Sequence, residues 1–191
     1  MQKRRADIEQ TRDRIVEATV TLHGTVGPAR TTVSAIAETA GVQRSTVYRH
    51  FPDDASLFRA CTSHWLARHP WPDPQRWLGI HEPALRLASA LDELYAYFSA
   101  NQRMLGNSLR DREAMPAFVG ASAATRLEAM HTALTAGWGR RGRQRRQLEA
   151  AIRHALDFRT WASLDAAGLS PPEAAGLMTD LAVHCAARGR R

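Results

Sequence analysis

The chain has 191 residues, 44% hydrophobic and 24% charged, which fits one ordinary globular domain or a small domain attached to a larger one. It contains no apolar run of about 18 residues, so no membrane-spanning helix is expected. The formal net charge of +7 is compatible with a polyanionic partner such as nucleic acid. Residues 1–60, however, hold nine basic against seven acidic side chains, so total charge does not locate a nucleic-acid site.

The two cysteines and the N-terminus both favour a cytoplasmic protein. Cys61 and Cys185 lie far apart in the sequence and predict reduced thiols rather than a disulfide framework. Neither belongs to a C-x-x-C pair, so no zinc site is expected. The first residues, MQKRRADIEQTRDR, lack the apolar central segment of a secretory signal.

The N-terminal part of the chain shows the periodicity of short α-helices and no convincing period-two strand. A first helix is predicted over residues 7–23, with apolar side chains three or four residues apart. Gly24 and Pro28 end it. Thr31 or Thr32 can then cap a second helix, because a hydroxyl there accepts a hydrogen bond from an unpaired backbone N–H.

A glycine turn separates this second helix from a short polar one. Gly41 is predicted to adopt the left-handed conformation, which glycine reaches without steric cost. In the following stretch, QRSTVYRHF, Val47 and Phe51 are four residues apart and share one face, with hydrogen-bonding side chains around them. Two aspartates follow, and Asp53 is predicted to cap a fourth helix.

The rest of the chain also predicts helices, about nine in total, interrupted by the proline-rich residues 69–76. One long helix is predicted over residues 145–167, and the last begins with a capping box of Ser170 and Glu173. The arginine cluster of residues 140–146 is expected to be a mobile solvated loop, with a second nucleic-acid site as the alternative. Helices after the break are predicted to begin near Pro83, Arg103, Pro116, Arg145 and Ser170.

Two short helices joined by a tight glycine turn form a helix-turn-helix, whose second helix enters the major groove of DNA. Arg44 can donate two parallel hydrogen bonds to O6 and N7 of guanine. Ser45 and Thr46 are short enough to let the backbone approach base edges, and the Thr46 methyl can contact a thymine methyl. The alternative is a solvated helix face without a partner. The residues that can donate to phosphate oxygens, and so fix the register, are Thr32, Tyr48 and His50.

The stretch from Thr11 to Leu57, about a quarter of the chain, resembles the DNA-binding headpiece of the TetR family of transcriptional regulators. Its most specific parts are TTVSAIAETAGV and, after it, STVYRHF. The resemblance implies an all-α fold. It places an N-terminal three-helix, helix-turn-helix DNA-binding domain at residues 1–55, and a larger helical ligand-binding and dimerisation domain at residues 56–191.

The resemblance also implies roles for single residues of the polar helix. Thr32 would contact a phosphate at the start of the second helix, and Tyr48 and His50 would contact the DNA backbone. The residues implied to lie in or beside the major groove are Gln43, Arg44, Ser45 and Arg49.

One position departs from the family pattern. The family usually places a phosphate-holding lysine at the start of the fourth helix, where this chain has Asp54 beside Asp53. Because a carboxylate repels phosphate, a weaker or shifted backbone contact is expected there. Lys3, Arg4 and Arg5 could compensate as a flexible arm, and the alternative is a merely solvated terminus.

The C-terminal three quarters carry no comparable motif, and their roles come from the resemblance. For every candidate there, the alternative is an ordinary core position. Residues predicted to line a ligand cavity are Tyr95, Phe98, Met104, Met115, Phe118, Met130 and Trp138. Residues predicted at a homodimer interface are Phe158, Trp161, Leu164, Leu177, Leu181 and His184.

The resemblance implies a regulator of transcription that acts as a homodimer on a palindromic double-stranded DNA operator and is released from it by a small-molecule effector. No catalytic residue, cofactor or metal site is expected, because no G-x-S-x-G, phosphate-binding glycine loop or H-E-x-x-H occurs. An effector-independent architectural or recombinase-type DNA-binding protein is the alternative, and an enzyme fused to a DNA-binding headpiece is a weaker one.

Overall fold

A computed structural model describes residues 2–187 of the protein, with side chains from Arg4 onward. The described residues form eleven α-helices, two 3₁₀ turns and no strand, which confirms the all-α prediction. No helix among them is long and apolar enough to span a bilayer. The helices are α1 (Gln2–Thr25), α2 (Val33–Ala40), α3 (Arg44–His50), α4 (Asp54–Arg68), α5 (Pro74–Trp77), α6 (Pro83–Ala100), α7 (Gln102–Arg110), α8 (Ala117–Thr135), α9 (Gly142–Ala155), α10 (Phe158–Ala166) and α11 (Pro171–Ala187), and the 3₁₀ turns are Pro28–Arg30 and Arg112–Ala114.

The chain folds as two compact units that do not follow the order of the sequence. The headpiece unit contains the residues up to Pro70 together with Gln102–Ala121, and the second unit contains Trp71–Asn101 and the residues from Ser122 onward. Helix α7 thus belongs to the same unit as α1–α4. The functional division between residues 55 and 56 stays a prediction.

Local capping signals set the helix boundaries of the headpiece as predicted. The Thr32 hydroxyl caps α2 by accepting a hydrogen bond from the Ala35 N–H at 3.2 Å. Gly41 ends α2 with a φ of 65°, in the left-handed region that glycine favours. The Asp53 carboxylate caps α4 by accepting from the Ser56 N–H at 2.6 Å.

The headpiece helices enclose one small apolar core. Its members come from α1, α2, α3 and α4 and from the residue after α3, and they include Val47 and Phe51, whose spacing predicted a shared face. The buried side chains of this core are Ile15, Val16, Ala18, Ile36, Ala37, Ala40, Val47, Phe51, Leu57 and Cys61.

Helix α7 is joined to the end of α1 by hydrogen bonds that the sequence did not predict. The Asn107 side-chain amide donates to the carbonyl oxygens of His23 at 3.0 Å and Gly24 at 3.1 Å. These two carbonyls lie in the last turn of α1, where a helix has no internal donors for them. Asn107 therefore caps α1 from a position 83 residues further along the chain.

A second set of contacts holds the turn after α1. The Arg110 guanidinium donates to the Val26 carbonyl at 3.0 Å, and the Asp111 carboxylate accepts from the Ala29 N–H at 3.1 Å. Gly27 lies between them with a φ of 95°, and a Cβ there would overlap the side chains of Arg110 and Asp111. Together with Asn107, these residues form what we call the α1–α7 clamp.

The second unit is built on α6, which packs against α11, while α11 also packs against α9. One apolar stripe of α6 is buried. The Tyr95 hydroxyl within it donates to the Ala155 carbonyl at 2.9 Å. The buried stripe consists of Leu87, Leu91, Leu94, Tyr95 and Phe98.

The single long helix predicted over residues 145–167 is wrong, because the chain breaks it into α9 and α10. Helix α9 ends at Ala155, and the Asp157 carboxylate caps α10 by accepting from the Arg159 N–H at 2.7 Å. A short acidic side chain that bonds its own backbone competes with helix continuation. Apolar periodicity alone does not reveal that competition.

Two further expectations for basic segments also need correction. Of the cluster at residues 140–146, residues 142–146 lie in α9, so most of it is helix and not loop. The segment predicted as a flexible arm is part of α1, on which Arg4 and Arg5 are exposed, while the Lys3 side chain lies outside the described residues.

The buried His23 predicts a pH dependence of headpiece stability. It packs against the Phe58 ring at a centroid distance of 5.0 Å, and burial lowers its pKa from 6.5 to about 4, a shift that the nearby Asp111 carboxylate opposes. At a pH between these two pKa values of His23, the unfolded state binds more protons than the folded state. Stability should therefore be complete above about pH 6.5 and fall by up to about 3 kcal/mol towards pH 4.

Urea unfolding of the wild type, His23→Gln and His81→Gln between pH 7 and pH 4.5 measures this contribution. The exposed His81 is the matched control. We expect His23→Gln to flatten the pH dependence and His81→Gln to leave it unchanged. Equal slopes for the wild type and His23→Gln would show that His23 is protonated in the folded state as readily as in the unfolded chain.

Candidate nucleic-acid interface

Helix α3 is fixed in the headpiece by its apolar face and by the turn before it. Val47 is 2% exposed and Phe51, directly after the helix, is 3% exposed. The Val42 N–H donates to the Ala37 carbonyl at 2.9 Å, which fastens the turn to the end of α2. Since one side of α3 is committed to the core, its other side chains must face outward.

The predicted DNA-contacting side chains lie on this outward surface. Tyr48 is 51% exposed, and Gln43, at the N-cap of α3, makes no side-chain capping bond. Among the described residues, neither Arg44 nor Arg49 forms a salt bridge, so both guanidinium groups are available. Exposed members of the set are Thr32, Gln43, Arg44, Ser45, Tyr48 and Arg49, while Thr46 and His50 are partly buried.

Two members of the set can donate to a phosphate without losing their structural contacts. The Thr32 oxygen accepts from the Ala35 N–H, which leaves the hydroxyl proton free for another acceptor. Partial burial, Arg49 and Arg12 all lower the pKa of His50, so its ring is neutral near pH 7 and keeps one N–H donor. A neutral N–H donor on His50, with the guanidinium groups of Arg12 and Arg49 nearby, suits an anionic ligand such as phosphate.

The two aspartates after α3 have different surroundings. The hydrogen bond from the Ser56 backbone lowers the pKa of Asp53, which is therefore ionised and engaged as the cap of α4. Asp54 is exposed in the first turn of α4, where the helix dipole favours a negative charge. The acid that follows the polar surface thus has a local structural use, and the repulsion of a phosphate by Asp54 stays a prediction.

The seven predicted ligand residues are divided between the two units. Met104, Met115 and Phe118 are partly buried in the headpiece unit. Trp138 lines a cavity of about 850 Å³ at the corner between α8 and α9 of the second unit. The remaining three, Tyr95, Phe98 and Met130, are buried in the core of the second unit.

The six predicted dimer residues also differ in their exposure. Leu177 and Leu181 on α11 are 41% and 49% exposed, and His184 follows on the same helix with an exposed side chain. Trp161 is fully buried and packs against Phe98 at a ring distance of 5.9 Å. Phe158 and Leu164 on α10 are partly buried. The exposed members of the predicted dimer set therefore lie on α11.

The residues that sequence reasoning missed are those of the α1–α7 clamp, Asn107, Arg110 and Asp111. Their partners lie more than 80 residues away in the sequence, and no local pattern links them. The described residues contain no group of three His, Cys, Asp or Glu side chains that could hold a metal ion.

Comparisons with known proteins identify the type of headpiece. Residues 15–61 match the sequence model of the family described as bacterial regulatory proteins, tetR family. This match contains α2 and α3 in full, with every predicted DNA-contacting residue. None of the curated protein sequences compared with this chain matches it.

Solved structures resemble the chain over most of its length. A TetR-like transcriptional regulator from Rhodococcus sp. RHA1 is 17% identical, with a TM-score of 0.64 over 93% of this chain and 96% of that one. NalD, the secondary repressor of the MexAB-OprM multidrug efflux pump in Pseudomonas aeruginosa, is 22% identical, with a TM-score of 0.62 and coverages of 94% and 97%. A putative fatty acid metabolism regulator from Clostridium perfringens is 16% identical, with a TM-score of 0.61 and coverages of 90% and 97%.

Identities this low establish the fold alone, and the family model adds a sequence match over residues 15–61. The predicted resemblance is confirmed by both comparisons. The chain therefore combines a headpiece that matches the tetR-family model over residues 15–61 with an all-helical fold similar to that of TetR-like transcriptional regulators.

Proposed function

We propose that this regulator is a homodimeric repressor that reads a palindromic operator with α3 and leaves it when a small-molecule effector binds. The observation that carries the proposal is the geometry of α3. Val47 fixes the helix to the core, while hydrogen-bonding side chains cover the opposite, solvent-facing side. A helix of this kind after a glycine turn fits the major groove of duplex DNA.

Base reading is assigned to the start of α3. Arg44 is the first residue of the helix, and the N-terminal residues of a recognition helix are those that contact base edges. Its unpaired, exposed guanidinium matches the two acceptors of guanine in the major groove. Ser45 and Thr46 follow as short side chains that permit close approach, and Gln43 and Arg49 flank them.

Phosphate contacts are assigned to Thr32, Tyr48 and His50. Thr32 stands at the N-terminus of α2, where the partial positive charge of the helix adds to its hydroxyl donor. Tyr48 projects a half-exposed phenol from α3. These contacts would fix the orientation of α3 in the groove without reading sequence.

Dimerisation is assigned to α11, with Leu177 and Leu181 four residues apart on one face and His184 beside them. A twofold dimer presents two copies of α3 to half-sites about 34–36 Å apart, which explains the expected palindrome. That NalD is a repressor supports repression as the output.

Effector release is assigned to a displacement of α7. The α1–α7 clamp ties α7 to the last turn of α1 and to the turn before α2, so a shift of α7 would be transmitted to the headpiece. A coupling of about 1–3 kcal/mol between effector and DNA would change operator affinity about 5–150-fold. Among the seven candidate ligand residues, the fully buried Tyr95, Phe98 and Met130 would have to separate to admit an effector.

An architectural or recombinase-type DNA-binding protein remains the second candidate function. Such a protein would bind unrelated duplexes with uniform affinity and would not respond to small molecules. Selecting bound fragments from random DNA, followed by a ligand screen for release, distinguishes the two. Enrichment of a palindrome favours the repressor, and no enrichment favours the architectural protein.

Replacement of Arg44 tests base reading. We expect Arg44→Ala to cost about 1–3 kcal/mol on the selected operator and to relax the preference at one guanine position, because a bidentate contact is lost. Tyr48→Phe should weaken binding by a similar factor on every sequence, since it removes a phosphate donor. Fluorescence anisotropy on the operator, on single-base variants and on random duplex separates the cases. Equal losses for Arg44→Ala on operator and random DNA would rule out the base contact.

Replacement of Asp54 tests its proximity to phosphate. Asp54→Lys should tighten operator binding and steepen the plot of log affinity against log salt by about 0.9 for each phosphate newly neutralised. Asp92→Lys makes the same charge change at an exposed position on α6 and should leave the slope unchanged. If both variants give the wild-type slope, Asp54 lies away from the DNA backbone.

Replacement of the α11 leucines tests the dimer. The double variant Leu177→Glu/Leu181→Glu should be monomeric in light scattering, because glutamates of the two copies would repel each other across the interface. It should also lose much of its operator affinity, because a monomer cannot bind both half-sites at once. Leu85→Glu is the control, since Leu85 is 64% exposed on α6. A double variant that remains dimeric would place the interface elsewhere.

A further inference from the structure

The corner between α8 and α9 contains a cavity that the proposed DNA contacts do not use. Its volume is about 850 Å³, and its walls are the last turns of α8, the turn at residues 136–141 and the first turns of α9. The same corner holds the arginine cluster of residues 140–146, whose charge the headpiece does not explain.

Two guanidinium groups of the cavity wall remain after the ion pairs of its two carboxylates are counted, one of which is made with Arg153 outside the wall. Glu149 is paired with Arg145 at 2.7 Å, and Glu128 is paired with Arg153 at 3.0 Å, so both carboxylates of the wall are neutralised.

The remaining cations of the wall are Arg140 and Arg141, whose guanidinium groups have no salt bridge or hydrogen-bond partner among the described residues. The Nε of Arg140 is shielded from solvent and has no acceptor. Buried donors normally have a partner, and the described residues supply none to this atom.

The start of α9 adds to the positive character of the same wall. Its N-cap residue, Arg141, supplies no capping oxygen, and its first turn contains no acidic side chain. By contrast, the N-termini of α2, α4, α6 and α10 are capped by Thr32, Asp53, Glu82 and Asp157. The N-terminal N–H groups of α9 therefore present their partial positive charge without a protein acceptor from the cap.

An apolar surface stands beside these donors. The indole N–H of Trp138 donates to the Leu134 carbonyl at 2.8 Å, which fixes the ring against the end of α8. Trp138 and the buried Leu148 both line the cavity. The site thus combines an oxyanion-binding edge with an aromatic wall, which is how pockets for small organic acids are composed.

We propose that this cavity binds a small organic anion, a carboxylate or a phosphate monoester with an apolar body. Arg140, Arg141 and the N-terminus of α9 hold the oxyanion, since guanidinium groups bind such groups through parallel charge-assisted hydrogen bonds. Trp138 contacts the apolar body. The site is separate from α3 and does not depend on the operator model.

Three probes with the same phenyl group distinguish the possible anions. Isothermal titration calorimetry of the full chain with benzoate, phenyl phosphate and benzyl alcohol should show binding of at least one anion and none of the neutral alcohol. The tighter anion identifies the preferred headgroup. If neither anion binds at concentrations up to about 10 mM, any dissociation constant is too large for a functional site, and the proposal is overturned.

Paired arginine variants test where the anion binds. Arg140→Gln/Arg141→Gln should weaken anion binding at least about tenfold, because charge-assisted hydrogen bonds are lost. Arg143→Gln/Arg146→Gln removes the same charge from neighbouring positions that do not line the cavity, and should retain affinity within about twofold. Thermal melts of both variants check that folding is preserved.

Two results would contradict this location. Equal weakening in both double variants would reveal a general attraction to the cluster and no defined site. Displacement of the anion by duplex DNA of random sequence would assign these arginines to nucleic acid. Operator binding is measured separately on the same samples, so a failure of the operator model and a failure of the anion site remain distinguishable.

Discussion

The burial of Val47 and Phe51 in the headpiece core determines which side of α3 meets solvent. A helix of seven residues is too short to be stable alone in water, so its existence and its orientation both come from tertiary packing. With these two side chains in the core, the hydrogen-bonding residues around them have only the outer face. The Gly41 turn sets where that face begins. The proposed reading of DNA rests on this one packing arrangement.

The features predicted correctly from sequence are those whose cause is local. Thr32, Gly41 and Asp53 each set a helix boundary through a contact within four residues, and such signals are legible in sequence. The α1–α7 clamp was missed because its partners are separated by more than 80 residues. The break at Asp157 was missed because apolar periodicity continues across it. The candidate DNA surface was predictable since it follows from helix periodicity and a family motif. Ligand and dimer residues depend on tertiary packing, and periodicity does not distinguish a core residue from one that lines a cavity or an interface.

Arginine has three different uses in this chain, which explains why net charge was a poor guide to function. In α3, Arg44 and Arg49 have no carboxylate partner among the described residues and can bind an external one. Arg110 has a structural use, since it pairs with Asp111 at 2.7 Å and holds the turn after α1. At the α8–α9 corner, Arg140 and Arg141 face a cavity. The surroundings of each guanidinium, and not the total, distinguish these uses.

The most direct test of α3 as a major-groove reader is dimethyl sulfate protection of the operator selected from random DNA. This reagent methylates guanine N7 in the major groove and adenine N3 in the minor groove. The account predicts protected guanine N7 positions in two patches about 10–10.5 base pairs apart, centre to centre. With Arg44→Ala, one guanine in each patch should lose its protection and become reactive again. Binding that leaves every guanine N7 reactive, or that protects adenine N3 alone, would contradict it.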